Sequence, residues 1–561
     1  MNHGTTPDVV LSGIAGGFDV QESVVMAVSY RAAEMSEMLR EQTVGSLLRW
    51  AAEQAPGARA LVEGSGEPDA RTWTYAELLS DAERAARSLL GRFDPGERIA
   101  VWANNIPEWV VLEMATALAG MTLVTVNPAL RPAEVRHVLQ QSRAAGIFLL
   151  PEYRGNPLGE SLASVRPDLP ELREAVLFPD WPAFLREGSG PQVLPVVSPN
   201  DPAQIQFTSG TTGRPKGAVL HHKGIVNNAR LSYRRLLDLQ PGDTFVNGMP
   251  LFHTAGCVLA TLSSIAGLAT HVLLPAFDPE LQLRMIEAEH GKVFAGVPTM
   301  LQAMLDHPSL STTDLSSVRF GLSGGALTPP QLVERVEAVI NAPLLIVYGQ
   351  TEASPGITMT TADDSAEDRR TTVGRPLPGV ELKIVDPVDR TVSMPTGEVG
   401  ELCTRGYHVM TGYFGEAART AEAIDDDGWL YTGDLASLDE RGYCRIAGRQ
   451  SDMIIRGGEN IYPREIEHLL LSHPQVADVA VLGVPDPVWG EQVAAVVVPA
   501  TAAEAEEQIL SGYVRDRLAP YKVPRMWRFV DRLPLNSSGK VQKSALRDQL
   551  SADQRGSGTI E

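Results

Sequence analysis

Cysteine is almost missing from this chain: Cys257, Cys403 and Cys444 are the only three in 561 residues. An odd, sparse set without CxxC spacing excludes a disulfide framework and a cysteine zinc site, and a reducing cytoplasm is the expected setting. Long apolar runs are missing too. No uninterrupted stretch approaches the ~20 residues that span a bilayer, and Asp8, Asp19 and Glu22 stand where a secretory leader needs a basic region and an apolar core. Neither secretion nor a membrane span is expected. Basic charge is in short supply, with Lys+Arg 48 against Asp+Glu 69 and a net charge of −21. That field repels phosphate backbones and anionic lipid, so nucleic acid is not the expected partner. The acidic stretches Asp363-Asp364 to Asp368 and Asp425-Asp426-Asp427 are short and read as solvated loops rather than a metal cage.

What is present is an ordinary globular composition, 43% hydrophobic and 21% charged, over a length that makes roughly three or four domain-sized units. From Thr43 onward, helix-like and strand-like runs alternate: Glu108–Gly120 then Leu123–Val126, Arg131–Ser142 then Ile147–Leu150. This alternation predicts an α/β fold, a large domain of layered, mostly parallel sheets with crossover helices. The Gly- and Pro-rich stretch Arg186–Pro202 reads as a connection. Near Gly448 the character changes. A polar stretch leads to Met453-Ile454-Ile455, then to a helix opened by Pro463 with Ile466, Leu469 and Leu470 on one face, then to the β-rich runs Val479–Val484 and Val493–Val498. The predicted organisation is therefore an extension over 1–42, a large domain over 43–448, a hinge at 449–452 and a small, mobile α+β domain over 453–561. Within the extension, Val28, Ala32, Met35 and Leu39 make a weak helical stripe. The bland reading is a frayed segment, with Met26, Met35 or Met38 as alternative translation starts.

The densest local signal is Thr208-Ser209-Gly210-Thr211-Thr212-Gly213-Arg214-Pro215-Lys216-Gly217. Glycines let backbone N–H groups turn inward, hydroxyls add donors and cations neutralise charge, which suits an oligophosphate; a flexible hairpin would use the same residues. The segment is not a Walker A loop, since Lys216 is followed by Gly217. Further along come Tyr348-Gly349-Gln350-Thr351-Glu352 at the end of an apolar strand, Tyr431-Thr432-Gly433-Asp434, Gly448-Arg449 followed by Asp452, Gly457-Gly458-Glu459-Asn460, and Asn536-Ser537-Ser538-Gly539-Lys540. In doubly wound sheets the carboxyl end of a strand is where ligands sit.

Taken in order, these segments resemble the adenylate-forming (AMP-binding) superfamily and, within it, acyl-CoA synthetases of the medium-chain fatty acyl or aryl acid type, from about Thr43 to near Leu546. The resemblance implies ATP, Mg²⁺ and CoA as cofactor and co-substrates. Thr208, Ser209, Gly210, Thr211, Thr212, Gly213 and Lys216 would hold the β and γ phosphates, and Thr208 and Glu352 would position the metal beside Thr351. Gly324 and Gly325 would lie against adenine near Tyr348, Gly349 and Gln350, Asp434 would accept both ribose hydroxyls, and Arg449 would support ribose and phosphate. Lys540 would reach the carboxylate and the α-phosphate, where a long cationic side chain lowers anion–anion repulsion.

The same resemblance implies two half-reactions, an acyl-adenylate followed by attack of a thiol, with the small domain pivoting at Ser451, where the family usually has Asp or Lys. Pivoting would withdraw Lys540 and bring Gly457, Gly458 and Glu459 forward to leave room for a pantetheine arm. His253, in Leu251-Phe252-His253-Thr254, matches the position associated with carboxylate access. Val297, Met300, Ser323 and Ser354 would line an uncharged pocket for a small apolar carboxylic acid. Transfer to a carrier-protein pantetheine, use of an amine or nitrite instead, and a nucleotide sensor that has lost its chemistry are the competing readings. Retention of Lys540 counts against the last.

Overall fold

The computed structural model describes residues 28–34, 38–188, 192–208, 215–232, 240–456, 459–500, 506–535 and 541–556. Among them a seven-stranded sheet runs, edge to edge, through Gly412–Tyr413, Lys216–His221, Pro202–Thr208, Thr122–Val126, Arg98–Trp102, Gly146–Leu149 and Glu174–Leu177. From Pro202–Thr208 outward to Glu174–Leu177 its pairs are parallel, as the alternation of helix and strand requires, because parallel neighbours need a crossover. Pro107–Leu118 is one such crossover, opened by proline at its first turn and buried along nearly its whole length. A second parallel run, Val293–Ala295, Phe320–Gly324 and Leu344–Gly349, continues antiparallel into Gly356–Met359 and Arg375–Pro376. A third sheet holds Thr244–Asn247, Thr270–Leu273 and Arg59–Glu63 in parallel, with Thr72–Thr74 antiparallel at its edge.

The α/β expectation holds, with one addition. Val380–Val385, Gly400–Gly406, Leu430–Leu438 and Cys444–Arg449 form an antiparallel sheet. Its last two strands are joined by a turn too short for a crossover, so they can only run antiparallel. On the outer edge of this sheet lies Tyr30–Arg31, paired with Lys383 and Leu382. The helical stripe expected there is thus replaced by extended chain. Ser29 donates its backbone N–H to Met394 O at 2.8 Å, and Tyr30 donates to Glu381 Oε2 at 2.7 Å. Farther along, Asn227 Oδ1 accepts from Arg40 N at 2.9 Å. The described part of the extension is therefore tied down rather than frayed; Met26 and Met35 lie outside the described residues.

Beyond Asp452 the chain builds another sheet. Ile454–Arg456, Glu459–Ile461, Val476–Asp486, Gly490–Pro499 and Met526–Phe529 pair around a core of Ile454, Ile466, Leu470, Val481 and Val493. Pro463–Leu471 covers one face, with Ile466 and Leu470 fully buried. Among the described residues no helix is long and apolar enough to cross a membrane.

Candidate active site

Three strand ends and a turn assemble the predicted residues. Pro202–Thr208 and Lys216–His221 are antiparallel neighbours with Thr208 directly opposite Lys216, so the two ends of the phosphate-loop segment are pinned while Ser209, Gly210, Thr211, Thr212 and Gly213 lie outside the described residues. Glu352 arrives from the turn after Leu344–Gly349. Its Oε1 accepts from Tyr413 Oη at 2.9 Å and faces Thr208 Oγ1 at 3.5 Å, and its backbone carbonyl accepts from Met410 N at 2.8 Å. Lys216 places its ammonium 4.9 Å from the Tyr413 ring centroid. Burial and the adjacent Glu352 push the Tyr413 hydroxyl well above its ordinary value, so it stays protonated and donates. The sequence reading missed Tyr413; its only signal is an aromatic in Gly412-Tyr413-Phe414, 61 residues from its partner.

Asp434 and Arg449 face each other across paired strands. Arg449 Nε lies 3.2 Å from Asp434 Oδ1, and Tyr348 Oη donates to Asp434 Oδ2 at 2.7 Å. Burial and then Asp434 raise the Tyr348 hydroxyl far above its ordinary value, which keeps it a donor. Asp434 is only 6% exposed and both of its oxygens are engaged, one by Arg449 and one by Tyr348; a carboxylate oxygen can accept more than one hydrogen bond. Arg464, in the first turn of Pro463–Leu471, brings a second guanidinium toward Asp434 and Arg449; burial holds it below its ordinary value against the pull of Asp434. This contribution of the small domain was not legible beforehand.

Gly325 has φ +76, a left-handed backbone that side chains rarely adopt, and a Cβ on Gly349 would stand 1.9 Å from Pro355 O. Both glycines are thus required by the local chain path, whatever binds beside them. Thr351 opens the turn that carries Glu352, and Gln350 N donates to Pro355 O at 3.0 Å.

Of the acid-pocket candidates, Val297 caps the helix Pro298–Leu305 and comes within 3.5 Å of where a Gly325 Cβ would be. Met300 is 9% exposed on that helix. Ser323 shares a hydrogen bond with Thr328 at 3.0 Å, and Ser354 Oγ is buried without a partner among the described residues. His253 ends a turn whose carbonyl accepts from Gly256 N at 2.9 Å and Cys257 N at 3.1 Å. It leads into the π-helix Ala255–Leu262, a rare form that recurs at functional sites. Glu459 is exposed at the start of the short strand Glu459–Ile461, and Ser451 is exposed in the turn Gln450–Asp452. Gly457, Gly458 and Lys540 lie outside the described residues.

A polar ladder crosses the core behind the strand Pro202–Thr208. Gln204 Nε2 donates to Glu113 Oε1 at 2.7 Å, Gln206 Nε2 donates to Gln204 Oε1 at 2.8 Å and to Cys257 Sγ at 3.3 Å, and Thr125 Oγ1 donates to Gln206 Oε1 at 3.0 Å. It joins the strand ending at Thr208 to the turn of His253. Complete burial raises the Glu113 carboxyl well above its ordinary value, so the folded chain keeps it neutral. An unfolded glutamate ionises near pH ~4.3. Above that pH unfolding releases a proton, and stability falls as pH climbs toward the folded value. Glu113→Gln keeps the acceptor for Gln204 and removes the titration. Its melting temperature should gain on the parent's as pH rises from about 5 to about 8; a gap that stays constant contradicts a neutral Glu113.

Residues 48–414 match the AMP-binding enzyme family and residues 465–540 match the AMP-binding enzyme C-terminal domain. The putative acyl-CoA synthetase YngI of Bacillus subtilis (strain 168) is 38% identical over 92% of this chain and 98% of its own length. The mitochondrial medium-chain acyl-CoA ligase ACSF2 of Rattus norvegicus is 36% identical over 93% of this chain and 90% of its own. The crystal structure of ATP-bound MatB from Rhodopseudomonas palustris superposes with a TM-score of 0.83 at 29% identity, covering 91% of this chain and 99% of that one. With matched models at both ends, and relatives aligned along nearly the whole length, the chain belongs to the adenylate-forming AMP-binding enzymes, as an AMP-forming ligase of the acyl-CoA synthetase type.

Proposed function

We propose that this enzyme activates a small apolar carboxylic acid, medium-chain aliphatic or aryl, and passes the acyl group to the thiol of CoA. In the first step a carboxylate oxygen attacks the α-phosphorus of ATP and the bond to pyrophosphate breaks. In the second a thiol attacks the acyl carbon, its proton goes to solvent and AMP leaves. The observation that carries this reading is the meeting of Glu352 and Lys216 at Tyr413, with Thr208 facing Glu352, which gathers a hydroxyl, a carboxylate and a cation at one place. Asp434 with Tyr348 and Arg449 supports a ribose site.

Glu352 and Thr208 form an oxygen-only pair, which suits Mg²⁺, a hard dication that takes its other ligands from phosphates and water. Bound there, the ion would neutralise phosphate charge. Lys540 supplies the cation between carboxylate and α-phosphate, and withdraws when the small domain turns about Ser451. Val297, Met300, Ser323 and Ser354 carry no charge, which supports an acid without a second ionised group. The name of the ACSF2 relative, a medium-chain acyl-CoA ligase, supports the chain-length class.

Pyrophosphate release with Mg-ATP across aliphatic and aryl acids, each with and without CoA, tests the reading. One medium-chain or aryl acid should stand out without CoA, and CoA should convert its adenylate to thioester. An adenylate that CoA leaves untouched would move the acceptor to a carrier protein or another nucleophile, and silence from every acid would overturn the reading.

A further inference from the structure

The strand that presents Asp434 is irregular where Asp434 leaves it. In the antiparallel pair of Gly400–Gly406 and Leu430–Leu438, Glu401 stands opposite Leu435 and Cys403 opposite Tyr431, so Leu402 alone faces Thr432, Gly433 and Asp434. Such a bulge re-aims the side chain beside it. The bend falls on Gly433, at φ +68.

Two side chains fix the bulge. Thr432 Oγ1 donates to Leu402 O at 2.7 Å and accepts from Asp434 N at 3.1 Å. Glu401 Oε1 accepts from Gly433 N at 3.2 Å, and Glu401 is fully buried. Arg390 clamps it, Nε donating to Oε2 at 2.9 Å and Nη2 to Oε1 at 3.2 Å, while the guanidinium lies 4.3 Å from the Tyr431 ring centroid. Burial raises the Glu401 carboxyl above its ordinary value against the pull of Arg390 and the Gly433 N–H. A buried ion pair is weak evidence of stability, because apolar residues of the same volume often serve a fold as well. What an apolar residue cannot do is hold the Gly433 N–H, and with it the direction in which Asp434 leaves the strand.

We infer that Glu401, clamped by Arg390 and assisted by Thr432, is a positioning residue of the nucleotide site that aims Asp434 at the ribose hydroxyls. This rests on Asp434 holding the ribose, as proposed above. Tyr348 and Arg449 engage the Asp434 side chain itself, whereas Glu401 and Thr432 act on the backbone that carries it.

The test follows pyrophosphate release by the full-length chain with ATP and with dideoxy-ATP, which lacks both ribose hydroxyls, in wild type, Glu401→Leu, Glu401→Gln and Thr432→Val. Glu401→Leu fills the same space without an acceptor. It should raise the KM for ATP about 10-fold, the size of one misplaced hydrogen bond to a charged group, and leave the maximal rate near that of wild type. Its KM for dideoxy-ATP should match wild type, because no hydroxyl is there to miss. Glu401→Gln keeps an oxygen for the Gly433 N–H and should recover most of the loss. Thr432→Val breaks the other brace and should repeat the ATP-selective shift, so the inference stays open to refutation even if Glu401→Leu does not fold. An unchanged KM for ATP, or equal shifts for both nucleotides, would assign these side chains to the fold alone and overturn the inference. A wild type that uses both nucleotides with one KM would instead overturn the ribose site on which it rests.

Discussion

Replacing Lys540 by alanine should slow acyl-adenylate formation by on the order of 10²–10³, equivalent to about 3–4 kcal/mol of barrier. The reason is electrostatic. Adenylation drives a carboxylate against an α-phosphate, two anions, and no residue there needs to remove a proton. A cation delivered by a separate domain stabilises the charge as it develops without binding ATP tightly in the ground state. The loss should therefore fall on the rate of pyrophosphate release rather than on the KM for ATP. On the proposed cycle, in which the small domain has by then withdrawn Lys540, thioester formation from chemically prepared acyl-adenylate should be nearly unaffected. Adenylation at the parental rate would remove Lys540 from the mechanism, and equal loss in both half-reactions would make its role structural.

Glu352→Gln should be of similar severity, with activity at saturating Mg-ATP down on the order of 10²–10³. The substitution keeps shape and keeps an oxygen to accept from Tyr413, which holds Glu352 at 2.9 Å, and the Met410 bond to the backbone carbonyl is untouched. What disappears is the charge. Glutamine is a poor ligand for a hard dication, so the apparent demand for Mg²⁺ should rise while the melting temperature stays close to the parent's. Lost activity accompanied by a large fall in melting temperature would assign Glu352 to the fold alone.

Much of the fold was legible because its signals are local. Pro107 and Pro463 open the helices Pro107–Leu118 and Pro463–Leu471, a first turn where a missing N–H costs nothing. The apolar run before Gly349 ends a buried strand, and ligand-facing loops follow such ends. Thr208, Lys216, Glu352, Asp434 and Arg449 could be named because each sits inside a short motif. Tyr413 could not, because it reaches Glu352 only once Gly412–Tyr413 pairs with Lys216–His221. Glu113 was equally hidden. A lone carboxylate on an apolar helix looks like a surface residue until Gln204 and Gln206 arrive from a strand far along the chain.

The edge strand Tyr30–Arg31 shows the same limit. Two residues carry no periodicity, and their extended form depends on a sheet edge 351 residues away, which Tyr30 marks by bonding to Glu381. Tertiary pairing outweighs a weak helical stripe when the alternative leaves an edge open. The antiparallel sheet bearing Asp434 was unread because strands buried on one face and broken by Gly433 do not announce a direction; the short return to Arg449 does.

The central claim is that the acid's own oxygen becomes bonded to the α-phosphorus. Acid labelled with ¹⁸O in its carboxylate, chosen from the panel, is turned over with Mg-ATP and CoA, and the AMP is weighed by mass spectrometry. An acyl-adenylate route places a single ¹⁸O in each AMP, since the thiol displaces AMP from the acyl carbon and leaves the acid's oxygen on phosphorus. Unlabelled AMP, or label carried away in pyrophosphate or inorganic phosphate, would contradict it.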